Sequence, residues 1–174
     1  MEYEQLIQGC IENNREYQKT LFDKFAGKFM TIAKRYMKDP MLAEDVLMEG
    51  FYKIYKNLGK FKGEGSFEGW MRRIIVNTAL TKLKQNKHEF NECNLVTAEA
   101  VSIDPTYYET ASAEELMSLI STLPIGYRTV FNMYVIDGFS HREIAKELNI
   151  QEASSRSQLF KAKDFLQKRI NPNT

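Results

Sequence analysis

The sequence predicts an all-α protein built as two small helical domains joined by a flexible acidic linker. Three observations predict it. Apolar residues recur at three- and four-residue spacing along most of the 174 residues, the mark of amphipathic helices, and strand-like alternation is absent. Charge is partitioned: residues 17–88 carry fifteen Lys and Arg against seven Asp and Glu, whereas residues 89–123 hold seven acids and no Lys or Arg. Finally, the stretch from about His88 to Ser112 contains Asn91, Asn94, Asp104-Pro105 and scattered Glu without a lasting apolar period. Such a stretch reads as a tether.

Helices are expected at 3–13, 16–37, 40–57, 66–86, 113–122, 124–136, 140–148 and 151–169. They group into an N-terminal helix (1–15), a bundle (16–87), the linker (88–112) and a second domain (113–170). Asp39-Pro40 separates the second helix from the third, because proline has no N–H to lose in a first helical turn. Gly59 and the tract Gly63-Glu64-Gly65-Ser66 end the third helix. Pro124 again suits a first helical position. Ser140 and Glu143 are spaced for a capping box, in which each side chain satisfies the other's backbone N–H. Ile144, Ala145 and Leu148 then recur as a buried face, and Asn149 suits the left-handed turn that ends a helix. The last helix carries Arg156, Lys161, Lys163, Lys168 and Arg169. Together these residues read as a helix-turn-helix.

Bulk properties narrow the function. A 43% hydrophobic chain can fill one large or two small helical cores. The net charge of +1 hides two basic segments around an acidic one, which suggests two modules that each meet a polyanion. Apolar runs are too short to span a bilayer, and the opening Met1-Glu2-Tyr3-Glu4 lacks a signal core. Cys10 and Cys93 are lone thiols, which fits a reducing compartment. A cytoplasmic protein without membrane insertion is expected. His88 and His141 have no cysteine or carboxylate at metal-ligand spacing, and no phosphate loop or nucleophile elbow appears. No catalytic set, metal or cofactor is therefore expected, and the chain does not read as an enzyme.

Three constellations remain. In the helix-turn-helix, the second helix enters the major groove with its N-terminal residues on base edges. This brings Ser154, Arg156, Ser157, Phe160 and Lys161 closest to DNA. Arg156 is suited to a guanine edge and Lys161 to phosphate. The second constellation runs from Lys60 to Lys87. Phe67, Trp70, Met71, Ile74, Ile75 and Thr78 share one helical face, and core packing is the favoured reading for Phe67 and Trp70. Arg73, Asn77 and Lys84 share a neighbouring polar face, with Leu80 among them. Phe61, Lys62, Gly63 and Ser66 precede this helix as a glycine-rich loop. An aromatic loop beside cations suits an unstacked base, because single-strand binding combines stacking platforms with a basic groove. The third constellation is the helix of Ala43-Glu44-Asp45-x-x-Met48-Glu49. Val46, Leu47, Phe51, Ile54 and Tyr55 form its apolar stripe, and Glu44, Asp45 and Glu49 form an acidic edge, either solvated or docked on a protein.

In this order the three constellations resemble the extracytoplasmic-function group of sigma-70-type bacterial RNA polymerase sigma factors. The resemblance covers residues 16–87 as region 2 and 113–170 as region 4. It implies a factor that binds core RNA polymerase and directs promoter-specific initiation, reading −35 and −10 elements and holding the melted −10 strand. By resemblance, Glu44, Asp45, Met48 and Glu49 lie on the surface that docks on the polymerase clamp coiled coil. The Phe61–Phe67 loop with Arg73 and Asn77 resembles the part that captures a flipped −10 base. Arg156, Ser157, Phe160 and Lys161 sit where the family reads duplex −35 DNA. The implied partners are the polymerase clamp and flap, promoter DNA and, since the group often has one, an anti-sigma factor. The acidic tether would run through the polymerase interior toward the RNA exit path. The sequence departs from the family pattern at Met48 (often Gln), Ala153 (often Gly), Ser155 (usually Val) and Gln158 (usually Arg). The alternative is a helix-turn-helix regulator that binds an operator without polymerase.

Overall fold

The computed structural model describes residues 3–85 and 113–170, all of whose regular elements are helical. The linker, with His88 and Cys93, lies outside the described residues. The chain divides into two compact units between Leu83 and Lys84.

The first unit contains α1 (Tyr3–Ile11), α2 (Arg15–Tyr36), α3 (Pro40–Asn57), a 3₁₀ turn at Leu58–Lys60 and α4 (Phe67–Gln85). Local chemistry sets these boundaries. Asn13 takes a left-handed conformation with φ 59°, so α1 stops at Ile11 rather than at 13. Asn14 then caps α2, its side chain accepting from the Glu16 N–H at 2.9 Å. Asp39 caps α3 in the same way, accepting from Met41 N–H at 2.8 Å, and Pro40 opens the helix. Each such cap satisfies a backbone donor that the helix leaves unpaired, worth about 0.5–2 kcal/mol against alanine.

Burial of one face of each helix holds this unit together. Leu21, Phe25, Phe29 and Tyr36 of α2 meet Val46, Phe51 and Ile54 of α3 in a core that also encloses Met71, Ile75 and Val76 of α4. Phe29 and Phe51 lie 5.7 Å apart, and Phe22 reaches Phe51 at 4.7 Å. Fully burying one such side chain contributes about 1.5–3 kcal/mol. Gly50 permits the close approach of α3 to α4, since a β-carbon there would sit 2.4 Å from the Ile75 Cδ1. Tyr55 ties α3 to α2 by donating to the Gln18 carbonyl at 2.8 Å. Burial, then the neighbouring Cys10 and Asp23, raise the Tyr55 pKa to about 12. Burial alone raises the Cys10 thiol to about 11. Two details depart from the wheel drawn on the sequence. Leu80 is buried rather than on the polar face, because the C-terminal half of α4 also buries Ala79 and Leu83. Trp70 and Ile74 are only half-buried.

The second unit contains α5 (Ala113–Ser121), α6 (Ile125–Phe131), a π turn at Asn132–Ile136, α7 (His141–Leu148) and α8 (Glu152–Ile170). Pro124 caps α6 from outside with ψ 144° instead of opening it. The helix expected over 124–136 changes character at Asn132, where Asp137 N–H reaches the Asn132 carbonyl at 2.9 Å in a π pattern. This extra residue keeps Met133 buried while Tyr134 and Val135 face outward. The core gathers Leu123, Val130, Met133, Ile144, Leu159, Ala162 and Leu166. Arg128 is buried, and its guanidinium donates to the Ser121 carbonyl at 3.3 Å. A cation there also opposes the negative end of the α5 dipole.

Candidate nucleic-acid interface

The helix-turn-helix is fixed by local bonds of the kind expected. Ser140 Oγ accepts from the Glu143 N–H at 3.2 Å, and Glu143 Oε2 accepts from the Ser140 N–H at 2.9 Å. Ile144 and Leu148 turn inward, with Ala145 half-buried. Asn149 ends α7 in the left-handed region (φ 55°, ψ 48°). Next, α8 buries Ser155, Leu159, Ala162 and Leu166, which leaves Arg156, Ser157 and Phe160 exposed together on the opposite side. Ser154 and Lys161 are half-buried, with the Lys161 ammonium 6.0 Å from the Tyr127 ring centroid. Arg156 is paired with Glu152 at 3.0 Å, its side chain 63% exposed.

Ser155 and His141 add a contact that spacing did not suggest. The His141 Nδ1 lies 2.9 Å from the Ser155 Oγ, joining α7 to α8. The imidazole also stacks on Tyr134, with centroids 4.4 Å apart and planes inclined by 21°. Burial lowers the His141 pKa, as do Arg156 and Lys163, while Glu152 opposes them. Ser155 is therefore buried with a polar partner, as buried hydroxyls require.

In the first unit, the loop after α3 turns through Gly63 (φ 75°) and Gly65 (φ 82°), a backbone region that side chains rarely adopt. Lys62, Gly63 and Ser66 are exposed. Phe61 is half-buried and rests against Phe67 at 5.1 Å and Trp70 at 5.4 Å. Phe67 itself is buried. Its ring packs against that of Phe61. Ser66 Oγ accepts from the Gly69 N–H at 3.3 Å at the start of α4.

Between α3 and α4 lies a cavity of about 530 Å³, lined by Tyr52, Lys53, Lys56, Asn57, Ile74, Asn77, Thr78 and Thr81. Of the residues singled out on the polar face of α4, only Asn77 lines it. Arg73 and Lys84 are exposed on the same helix outside the lining. Asn57 is oriented by donating from Nδ2 to the Lys53 carbonyl at 2.8 Å. Lys53 reaches Glu49 at 2.6 Å and the Thr78 hydroxyl at 3.4 Å, linking the two walls. Two amides, three hydroxyls and two ammonium groups, one of them paired with Glu49, stand around Ile74 and give hydrogen-bonding edges and a cation at one place. The α3 half of this lining was missed, because only folding brings Asn57 opposite Asn77.

Also on α3, Met41, Met48 and Tyr52, the last of which lines the cavity as well, are 75%, 60% and 64% exposed. They recur at spacings of seven and four residues and so share one helical face. Glu44, Asp45 and Glu49 are exposed around this seam. Asp45 pairs with Lys82 of α4 at 3.3 Å, and Glu49 with Lys53. Met41 and Tyr52 were not singled out, although their spacing from Met48 was the available signal. No group of three or more His, Cys, Asp or Glu among the described residues could hold a metal ion, and no described helix is long and apolar enough to cross a membrane.

Comparison with known proteins places these features in a family. Residues 21–89 match the family model for Sigma-70 region 2, and residues 113–166 match that for Sigma-70, region 4. The chain is 27% identical to the RNA polymerase sigma-H factor of Pseudomonas aeruginosa, over 95% of this chain and 94% of that protein. It is 26% identical to the ECF RNA polymerase sigma-E factor of Haemophilus influenzae, over 96% and 94%. The corresponding factor of Escherichia coli is 25% identical, over 96% and 93%. Among solved structures, the fold is similar to that of the sigma factor RpoE in its co-crystal with the anti-sigma factor NepR from Bartonella quintana. That match has a TM-score of 0.55 at 17% identity, over 90% of this chain and 98% of the other. CnrH, solved in complex with the cytosolic domain of CnrY, matches with a TM-score of 0.50 at 17% identity, over 97% of each chain. With region 2 and region 4 matched in order and relatives aligned over nearly their whole length, the chain belongs to the sigma-70 family, as a sigma factor of the extracytoplasmic-function group that directs promoter-specific transcription initiation by RNA polymerase.

Proposed function

We propose that the two units divide the promoter between them. In this reading the exposed face of α8, with Arg156, Ser157 and Phe160 flanked by Ser154 and Lys161, reads the duplex −35 element. The α3–α4 cavity takes one unstacked base of the −10 strand, with Asn57 and Asn77 on its edge and Phe61 stacking nearby. Lys62, Arg73 and Lys84 hold the strand's phosphates. The Met41–Met48–Tyr52 seam, with Glu44, Asp45 and Glu49, docks on the clamp coiled coil, and region 4 meets the flap. The protein acts in the cytoplasm, and an anti-sigma factor occupies these docking surfaces when the factor is held inactive. The structural neighbour RpoE, crystallised in complex with an anti-sigma factor, supports a partner of that kind.

The observation that carries the reading is the cavity, which gathers hydrogen-bonding groups from α3 and α4 and the ammonium groups of α3. Energetics agree with a polymerase-dependent role. Flipping a base costs a few kcal/mol, and stacking returns about 1–3 kcal/mol per base. The protein therefore biases opening effectively only while polymerase holds it on the duplex. The experiment combines the chain with core polymerase and a promoter library and maps transcript starts. Specific initiation above core polymerase alone is expected, and its absence refutes the reading. On the resulting promoters, Asn77→Ala reduces permanganate reactivity of unpaired −10 thymines while −35 binding persists. The reverse pattern overturns the assignment of the two units. Tight operator binding without polymerase would instead favour the conventional regulator.

A further inference from the structure

The N-terminal helix lies outside the segments matched to regions 2 and 4, yet it touches both ends of the loop assigned to the melted strand. On its inner side Leu6 and Cys10 are buried. Gly9 lets α1 lie against α2, since a β-carbon there would stand 2.4 Å from the Tyr17 ring. So seated, α1 packs against the 3₁₀ turn at Leu58–Lys60, which leads into the loop. At its start, Tyr3 meets Phe67, the first residue of α4 beyond the loop, edge-on at 6.1 Å with planes 65° apart. The Lys24 ammonium of α2 lies 4.4 Å from the Tyr3 ring centroid.

These contacts form a chain: Lys24 holds Tyr3, Tyr3 abuts Phe67, and Phe67 supports Phe61. The loop needs such support. Its residues from Lys62 to Ser66 are all exposed, and two of its five residues are glycines with positive φ. A loop of this composition keeps much of its conformational freedom unless its flanks are fixed.

We propose that α1 is a brace for the promoter-melting loop and that Tyr3 is a positioning residue, acting through Phe67 to hold Phe61 where the unstacked base arrives. This inference rests on the assignment of the loop and cavity to the −10 strand. Tyr3 stays 47% exposed, so the contact with Phe67 is not one that the core requires. Losing it should change loop placement more than folding.

The test uses the full chain with core polymerase on a promoter that it opens. Initial complex formation is measured by equilibrium binding under conditions that prevent melting, and opening by the rate at which −10 thymines become permanganate-reactive. Tyr3→Ala is expected to slow opening about two- to tenfold, the size of one aromatic pair, while initial binding stays within about twofold of the unsubstituted protein. Tyr3→Phe keeps the ring edge and the face over Lys24, so it should open at the unsubstituted rate. Opening by Tyr3→Ala at the unsubstituted rate overturns the brace. So does equal loss of binding and opening, which would mark a merely structural role, or a Tyr3→Phe variant as slow as Tyr3→Ala. Asn77→Ala in the same assay separates the brace from the cavity. If it is slow while Tyr3→Ala is not, the brace alone falls; if Asn77→Ala also opens normally, the assignment of the cavity falls with it.

Discussion

Replacing Arg156 with alanine tests the promoter-reading surface most directly, and its magnitude follows from the geometry. The side chain is 63% exposed and lies outside the core, so removing it should leave stability within about 0.5 kcal/mol. A bidentate contact to a guanine edge is worth about 1–3 kcal/mol of discrimination. In the free protein, however, the guanidinium is held by Glu152 at 3.0 Å. Releasing an exposed pair of this kind costs about 0–1 kcal/mol. The net discrimination is then about 1–2 kcal/mol, or roughly five- to thirtyfold at ~1.4 kcal/mol per decade. The assay is transcription by reconstituted polymerase from a matched pair of promoters, one with the preferred −35 element and one with its strongest-contributing base pair changed. Arg156→Ala should shrink the ratio of their outputs by that factor, while heat or urea unfolding is unchanged. Glu152→Ala should raise output on both promoters, since it removes a competing carboxylate from beside the phosphates. An Arg156→Ala protein that keeps the full ratio refutes the assignment of this residue to base reading, and a lowered unfolding midpoint refutes its independence of the core.

Three further outcomes are expected. Met48→Asp places a charge in the centre of the exposed α3 seam, so binding to core polymerase should weaken at least tenfold, on the order of a desolvated unpaired group at an interface; unchanged affinity in a competition assay would remove Met48 from the docking face. Ser140→Ala removes the side-chain half of the capping box and should lower stability by about 0.5–2 kcal/mol in urea unfolding; an unchanged midpoint would show that the cap contributes nothing. For His141, the folded state disfavours the proton through burial, Arg156 and Lys163, against the weaker opposing pull of Glu152. The unfolded chain therefore binds the proton more readily. The stability this contributes is complete above the ordinary histidine value of about 6.5 and is lost as the pH falls through the lowered folded value. Unfolding midpoints between about pH 7.5 and pH 5.5 should thus fall more steeply for the unsubstituted protein than for His141→Gln, and parallel slopes would contradict a histidine environment hostile to the proton.

How much of this was legible in the chain depended on the range of the interaction. Ser140 with Glu143, Asp39 with Met41 and Asn149 at the end of α7 are bonds across two or three residues, or single-residue conformations, and side-chain chemistry at that range is written in the order of residues. The all-helical class followed from periodicity, and the division into two domains from the partition of charge and the loss of that period between them. The features that eluded the sequence arise between elements. Asn57 and Asn77 are twenty residues apart, and nothing local says that they share a cavity. The bond from His141 to Ser155 crosses the turn between two helices, so His141 looked like a surface residue. Leu80 sat on the polar side of an ideal wheel, yet its neighbours enclose it. Phe67, favoured as core from its helical face, is buried.

The π turn at Asn132–Ile136 bears on how this chain can change over generations. It stores one residue more than an α-helix would use, and the surplus is absorbed where Met133 points inward and Tyr134 stacks on His141. Deleting a single codon here would remove that surplus and let the segment close into α spacing, whereas deleting one from a regular stretch of α6 would turn the residues after it by about 100°, one residue's share of a 3.6-residue turn. By contrast, the exposed stretch from Lys62 to Ser66 imposes no helical phase on the residues after it. Single-residue length variation should therefore be tolerated at the π turn and between Lys62 and Ser66, and purged from the regular stretches of the helices.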